Sequence, residues 1–440
     1  MVIAFGAMIS LEVEMELSLL ILLAAIVLAA LLVPWFEGLI KNGGALIIAA
    51  AVVCIAFLLR VSVFQCRTGD YNDFLSQWVQ FFRNYGGFSA LSNSTNGGAI
   101  NYNVPYLYFL AIFSRLPMRD LYLIKLLSIA FDVVLAYGIM KLVSVFTDSN
   151  AKRLSAYLVT LLLPTVILNS AQWGQCDSIY TSFLVLSLYH ILTGSPRRSM
   201  AEAAIALGFK LQAVFLLPVF LVMLFAKKLR WRDVLVFPLT YLLLLLPAVF
   251  CGADFMSLLT FYFHSTGTIG SGLNYNSPSL FTFVSGGEDV QTWSAMGIAA
   301  AGLYVLALWA WSWVRRKSLS NEALLGLSIL FAVGIPLLLP HMHDRYFFLS
   351  DVLTVVPAVL WLSYIPAAAL ASIASLLCYS IYLRGSSPLP LRFGSLALLA
   401  VLLIFFAFTA ERMGTPRLPK RAAEKKREKS NELATKRANL

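Results

Sequence analysis

The chain predicts an all-α polytopic membrane protein: a helical bundle of about 11 full spans, a short re-entrant helix pair, and interfacial helices in the first long outer loop. Three observations carry this. Of its 440 residues, 60% are hydrophobic and 12% charged, against roughly 25% charged in soluble domains. Apolar runs of about 17–23 residues recur, each long enough to cross a hydrocarbon core of roughly 30 Å. Lys and Arg flank those runs asymmetrically, as the positive-inside rule requires.

The runs fall at 17–34, 44–64, 121–143, 154–170, 176–194, 232–250, 294–314, 323–340, 346–363, 366–383 and 393–410. No stretch is left for a soluble domain of ordinary size. Lys41, Lys152, Arg153, Arg197, Arg198, Lys227, Lys228, Arg230, Arg315 to Lys317 and the tail after Arg412 mark the cytoplasmic side. Glu12, Glu14 and Glu16 precede the first run without Lys or Arg, so the chain starts outside and the first span is retained. The polar clusters at 69–103, 173–177, 251–293 and 341–346 then share the outer face.

One segment interrupts the alternation. Arg197 with Arg198 and Lys227 with Lys228 are both basic, yet a single run of span length separates them. Two short helices, 200–209 and 212–226, return the chain to its starting side, a path tolerated where the bend faces protein or a cavity. The bend carries Phe209, Lys210, Leu211 and Gln212 inward. Lys210 at membrane depth costs about 2.5–3.5 kcal/mol on insertion scales, so it calls for an anionic partner; the alternative is snorkelling to an interface.

In the first outer loop, Asp73, Phe74, Trp78, Val79, Phe81 and Phe82 recur at helical spacing and predict an amphipathic helix at the interface, ended by Gly86 and Gly87. A second aromatic segment, from Asn101 to Tyr108, is short for a span and is expected along the surface. Asp70 and Asp73 lie just past an apolar run, where carboxylates stay ionised at little cost while facing substrates held in the bilayer.

Four motifs, Gly69-Asp70-Tyr71, Trp173-Gly174-Gln175-Cys176-Asp177, Phe209-Lys210-Leu211-Gln212 and His341-Met342-His343-Asp344-Arg345, occur in the order seen in GT-C glycosyltransferases. The set most resembles bacterial and archaeal mannosyltransferases related to the second mannosyltransferase of GPI-anchor synthesis. It is also similar to the dolichyl-phosphate-glucose-dependent glucosyltransferases of the N-glycan pathway, with their Gly-Asp-Tyr loop and His-x-His-Glu-Lys cluster. The resemblance spans roughly residues 60–360. It divides the chain into an extra N-terminal span, 1–43, a GT-C-like catalytic domain, 44–410, and a basic cytoplasmic tail, 411–440.

The resemblance implies transfer of one hexose, mannose favoured, from a polyprenyl- or dolichyl-phosphate donor to a glycan, lipid or protein acceptor on the extracytoplasmic face, in the plasma membrane if the cell is prokaryotic. Asp70 matches the family's acidic residue and is the expected general base, because the attacking hydroxyl must lose its proton. Asp73 is the second candidate, positioning the acceptor or merely solvating the loop. The leaving phosphate needs fixed cations. Arg345 offers a planar fork, with His341, His343 and Lys210 as further contacts. Trp173, Gln175, Asp177, Gln212 and Tyr71 are expected around sugar or acceptor, Trp173 also reading as an interface anchor and Asp177 as a helix cap.

No cofactor or metal is expected, since the lipid-linked sugar is a substrate and His341 with His343 lacks a full ligand set. Cys54, Cys66, Cys176, Cys251 and Cys378 show no metal spacing. His264, Asn274, Asn276, Glu288 and Asp289 match no motif, Gly267 to Gly272 is not a nucleotide loop, and Asn93 opens a glycosylation sequon. The tail fits anionic lipid rather than nucleic acid. The rival readings are a lipid-linked glycan flippase or ligase, and a secondary transporter, which usually shows repeats and mid-membrane polar groups.

Overall fold

A computed structural model describes residues 17–93, 100–266, 272–284 and 289–414. The glutamates before residue 17, most of the sequon, most of the 267–272 loop, Glu288, the His264 side chain and the tail beyond 414 lie outside the described residues. Among the described residues eight helices are long and apolar enough to cross a membrane: Leu17–Phe36, Gly43–Val63, Asp120–Ser144, Trp231–Phe250, Val290–Val314, Asn321–Leu338, Leu362–Arg384 and Leu391–Gly414. Asn150–Leu162 with Pro164–Trp173, bent by 46°, makes a ninth if counted as one span. The bend follows from Pro164, which drives Leu163 out of the helical region to ψ 121°.

Among the described residues eight or nine helices thus qualify by length and composition, where the sequence predicts about eleven. The runs at 176–194 and 346–363 fold as Asp177–Leu192, 16 residues, and Phe348–Leu360, 13 residues. At 1.5 Å per residue these reach only about 24 and 20 Å. Both are packed inside the bundle among neighbouring helices, so no lipid thickness sets their length. Asp120–Ser144 and Asn321–Leu338 are 72% and 83% buried over their apolar windows, whereas Leu17–Phe36, Trp231–Phe250 and Val290–Val314 are each 17% buried and form the rim.

The expected helix pair is present. Pro196–Phe209 stops at Lys210, whose backbone is extended; the turn Leu211–Phe215 and the helix Val219–Phe225 follow. The pair begins and finishes together. Arg197 Nε lies 3.1 Å from Asp233 Oδ1, and Lys228 Nζ donates to the Leu192 carbonyl at 3.4 Å. At this same end Glu37 pairs with Lys141 and Arg153 at 3.2 and 3.1 Å, and Lys141 Nζ stands 5.5 Å from the Tyr189 ring. Basic flanks thus gather at one end of the bundle, while Asp177 and Lys210 occupy the opposite ends of helices that carry some of them.

In the first long loop, a π turn at Tyr71–Leu75 leads into the helix Ser76–Asn84, and Gly86 and Gly87, at φ 89° and 70°, end it. The second segment differs from expectation. Val104–Phe113, capped by Asn103, is largely buried instead of lying along the surface. Asn103 Nδ2 donates to Tyr241 Oη at 3.0 Å and Tyr108 Oη to the Leu244 carbonyl at 2.7 Å, so polar tips that suit an interface are satisfied inside protein. The two strands among the described residues, β1 (Asn274–Tyr275) and β2 (Met342–His343), pair in parallel.

Candidate functional site

Asp70 follows Gly69, where an added side chain would approach the Tyr382 hydroxyl at 3.3 Å. The Asp70 backbone N–H donates to that hydroxyl at 2.7 Å. Its Oδ2 accepts from Trp173 Nε1 at 2.9 Å and Gln175 Nε2 at 2.6 Å, and Arg345 Nη1 stands 3.6 Å away. The delivery of Trp173 and Gln175 to one oxygen is a backbone property: the π turn Leu168–Trp173 closes at Gly174, which takes φ 81°, and the Gln175 N–H returns to the Asn169 carbonyl at 2.9 Å. Only a residue at ease in the left-handed region makes that turn cheaply.

Gln175 also faces the second charge pair. Its Oε1 accepts from the Tyr102 hydroxyl at 3.2 Å and from Lys210 Nζ at 3.5 Å. Lys210 is paired with Asp177 Oδ1, both side chains being buried; this is the anionic partner that a buried ammonium requires. The other Asp177 oxygen accepts from Asn169 Nδ2 at 2.7 Å, which also reaches the Tyr379 hydroxyl. One hydrogen-bonded chain therefore runs from Asp70 through Gln175 and Lys210 to Asp177.

Arg345 closes the cluster. Its guanidinium carbon lies 5.4 Å from the Trp173 ring, its contacts to Asp70 and Asp344 are long at 3.6 and 3.5 Å, and its Nε is buried without a partner. Guanidinium–carboxylate bonds ordinarily close to about 2.7–2.9 Å, so this fork retains donor capacity. Burial opposes its charge, but Tyr102, Asp344, Asp70 and Asp177 outweigh that and raise its pKa. Burial lifts the Asp344 carboxyl to about 7 despite Arg345, with Asp70 adding to the rise. Burial and then Arg345 lower His343 to about 4, so its ring is neutral.

The remaining expected residues separate. His343 stacks on Tyr275 at 4.8 Å and 13° across the β1–β2 pairing. His341, at φ 60°, engages the Gly272 carbonyl through Nδ1 and the Ser294 hydroxyl through Nε2, so its ring ties the chain at Gly272 to the helix Val290–Val314. Gln212 contacts Tyr346 and leaves Oε1 buried and unpartnered. Tyr71 turns to Asp120 Oδ1 at 2.8 Å, and Asp73 is exposed on the π turn. Trp173 is fully buried, stacked on Tyr382 at 4.2 Å and 11°. Its ring presents no open face to a pyranose; what it offers is the hydrogen bond to Asp70.

Tyr102, Asn169, Tyr379 and Tyr382 complete the site without having carried a recognisable motif. A second buried cluster did leave a signal, lone opposite charges in neighbouring apolar runs: Arg60 pairs with Asp132 at 2.9 Å, and Ser170 and Ser178 donate to the same carboxylate. Lys125 donates to the carbonyls of Phe64 and Cys66 at 2.8 and 2.6 Å, fixing the chain that leads to Asp70. Among the described residues no group of three or more His, Cys, Asp or Glu is arranged to hold a metal ion. Compared with protein-family models and with curated proteins, the chain matches none.

Proposed function

We propose that this multi-pass membrane protein is a glycosyltransferase of the GT-C type that moves one hexose, mannose by preference, from a polyprenyl-phosphate donor to an acceptor hydroxyl. The observation that carries the reading is the convergence of Asp70, Trp173, Gln175, Lys210, Asp177 and Arg345, from four separate segments, into one cluster. The acceptor oxygen forms a bond to the anomeric carbon, and the bond from that carbon to the phosphate oxygen breaks with its electron pair leaving on phosphate. Asp70 takes the acceptor proton. Arg345, with unused donor capacity, receives the growing phosphate charge. Gln175 and Trp173 hold the Asp70 carboxylate still, and Lys210 is anchored by Asp177 beside Gln175.

The end of the bundle remote from the basic flanks faces out of the cytoplasm on this reading, with membrane lipid as both surroundings and substrate carrier. A cationic phosphate site makes a divalent ion unnecessary. The test is incubation of protein-bearing membranes with labelled polyprenyl-phosphate mannose or glucose. Transfer of a single sugar, unaffected by excess EDTA, is expected. Movement of the intact lipid across the bilayer, or joining of preassembled chains, would instead indicate a flippase or ligase. Loss of activity in EDTA with recovery on adding Mg²⁺ or Mn²⁺ would make Asp70 and Asp73 ligand candidates.

A further inference from the structure

The N-terminal helix Leu17–Phe36 lies outside the catalytic cluster, yet it walls the larger of two adjoining cavities. Leu22, Ala25 and Ala29 of this helix face Phe113, Leu116 and Leu123 across a slot of about 780 Å³ with an almost wholly apolar lining. The two alanines recur at a spacing of four, so they share one face, and their small side chains leave the space beside them unfilled. Leu116 also lines a second cavity, of about 520 Å³, formed with Arg83, Pro117, Met118, Arg119 and Asp120. Leu116 therefore borders both the apolar slot and the cup that carries the arginines.

The charges in that cup favour an anion. Asp120 is already occupied: Oδ1 accepts from Tyr71 Oη at 2.8 Å and from the Leu121 N–H at 3.0 Å, and Oδ2 accepts from Ser76 Oγ at 2.6 Å. Among the described residues Arg119 meets only neutral Tyr122, donating to its hydroxyl at 3.3 Å with the guanidinium carbon 5.6 Å from its ring. Neither Arg83 nor Arg119 forms an ion pair among the described residues. Two guanidiniums at the mouth of an apolar slot match a phosphate headgroup with a hydrocarbon tail. A further α-helix, about 10–12 Å across, suits neither the slot nor the charge.

We infer that this composite cavity is a binding site for a membrane lipid with a phosphate headgroup, its tail in the slot and its phosphate between Arg83 and Arg119. The site is separate from Arg345 and stands whether or not the chain transfers sugar. It contacts the catalytic loop through Tyr71, the residue after Asp70, whose hydroxyl rests on Asp120.

The test uses the full chain in detergent with a phosphatidic acid bearing a diazirine in its tail. Labelling should map to Leu17–Phe36 and Asp120–Ser144. Unlabelled dioleoylphosphatidic acid should compete, whereas dioleoylglycerol and inorganic phosphate should not. Removing both exposed arginines, with Arg83→Gln and Arg119→Gln, should weaken competition roughly 30-fold, from about fivefold per basic residue. Ala29→Trp should block labelling by filling the slot. Equal competition by dioleoylglycerol, unchanged competition in the arginine double variant, or labels mapping elsewhere would each overturn the site.

Discussion

Among single residues, the proposed chemistry turns on which groups hold charge. Asp70→Asn keeps the size of the side chain and removes its basicity, so turnover should fall at least about 100-fold with donor affinity little changed. Near-normal turnover in a folded variant would move the role to Asp73 or to no acid of this loop. Arg345→Ala should weaken donor binding and slow transfer, and Arg345→Lys should restore only part, because a point charge replaces a fork. Unchanged donor binding in Arg345→Ala would remove it from the phosphate site. Asp344 makes a pH prediction. Its folded pKa of about 7 exceeds the roughly 3.9 of an unfolded chain, so the stability of its protonated form is complete below about pH 4 and lost as pH rises through 7. His343, lowered to about 4, slopes the other way, losing stability as pH falls from about 6.5. In thermal unfolding, Asp344→Asn should therefore gain on the parent chain between pH 4 and 8, and parallel curves would contradict the assignment.

At the scale of elements, the helix pair around Lys210 was legible because two basic clusters bracket one run of span length. The buried Lys210 requires an anionic partner, and Asp177 supplies it. Breaking such a buried pair costs about 3–5 kcal/mol, because the remaining charge is stranded. Lys210→Met alone should therefore destabilise strongly, and adding Asp177→Asn should restore most of the loss; a single variant as stable as the parent would deny the pairing. The same pair has a topological test. Arg198 and Arg230 are exposed, and cysteines placed there, with the native five replaced, should both resist an impermeant thiol reagent in intact cells. Labelling of one alone would separate two ends that the Arg197–Asp233 contact joins. The burial of Val104–Phe113 was not legible, since its aromatic composition fits an interface and a protein interior equally well.

For the whole molecule, hydrophobic run length gave away the helical bundle but not how many runs are exposed to lipid. Asp177–Leu192 and Phe348–Leu360 read as spans by composition, and only packing shows them enclosed and short. The candidate site was legible as four motifs because each places a polar residue at an apolar border. Tyr382 and Tyr379 were not, because a tyrosine within an apolar run reads as ordinary filling until the fold sets it against Trp173, Tyr382 stacked and Tyr379 edge-on. Asn169 is hidden for the same reason. Whether this assembly transfers a sugar with Asp70 as base is decided by single-turnover transfer with the purified full chain. With labelled polyprenyl-phosphate mannose and an acceptor-containing membrane extract, the parent chain should move one labelled sugar, and Asp70→Asn should bind donor yet transfer at least about 100-fold more slowly. Absence of transfer by the parent chain from either mannose or glucose donors, or equal rates in the two proteins, would contradict it.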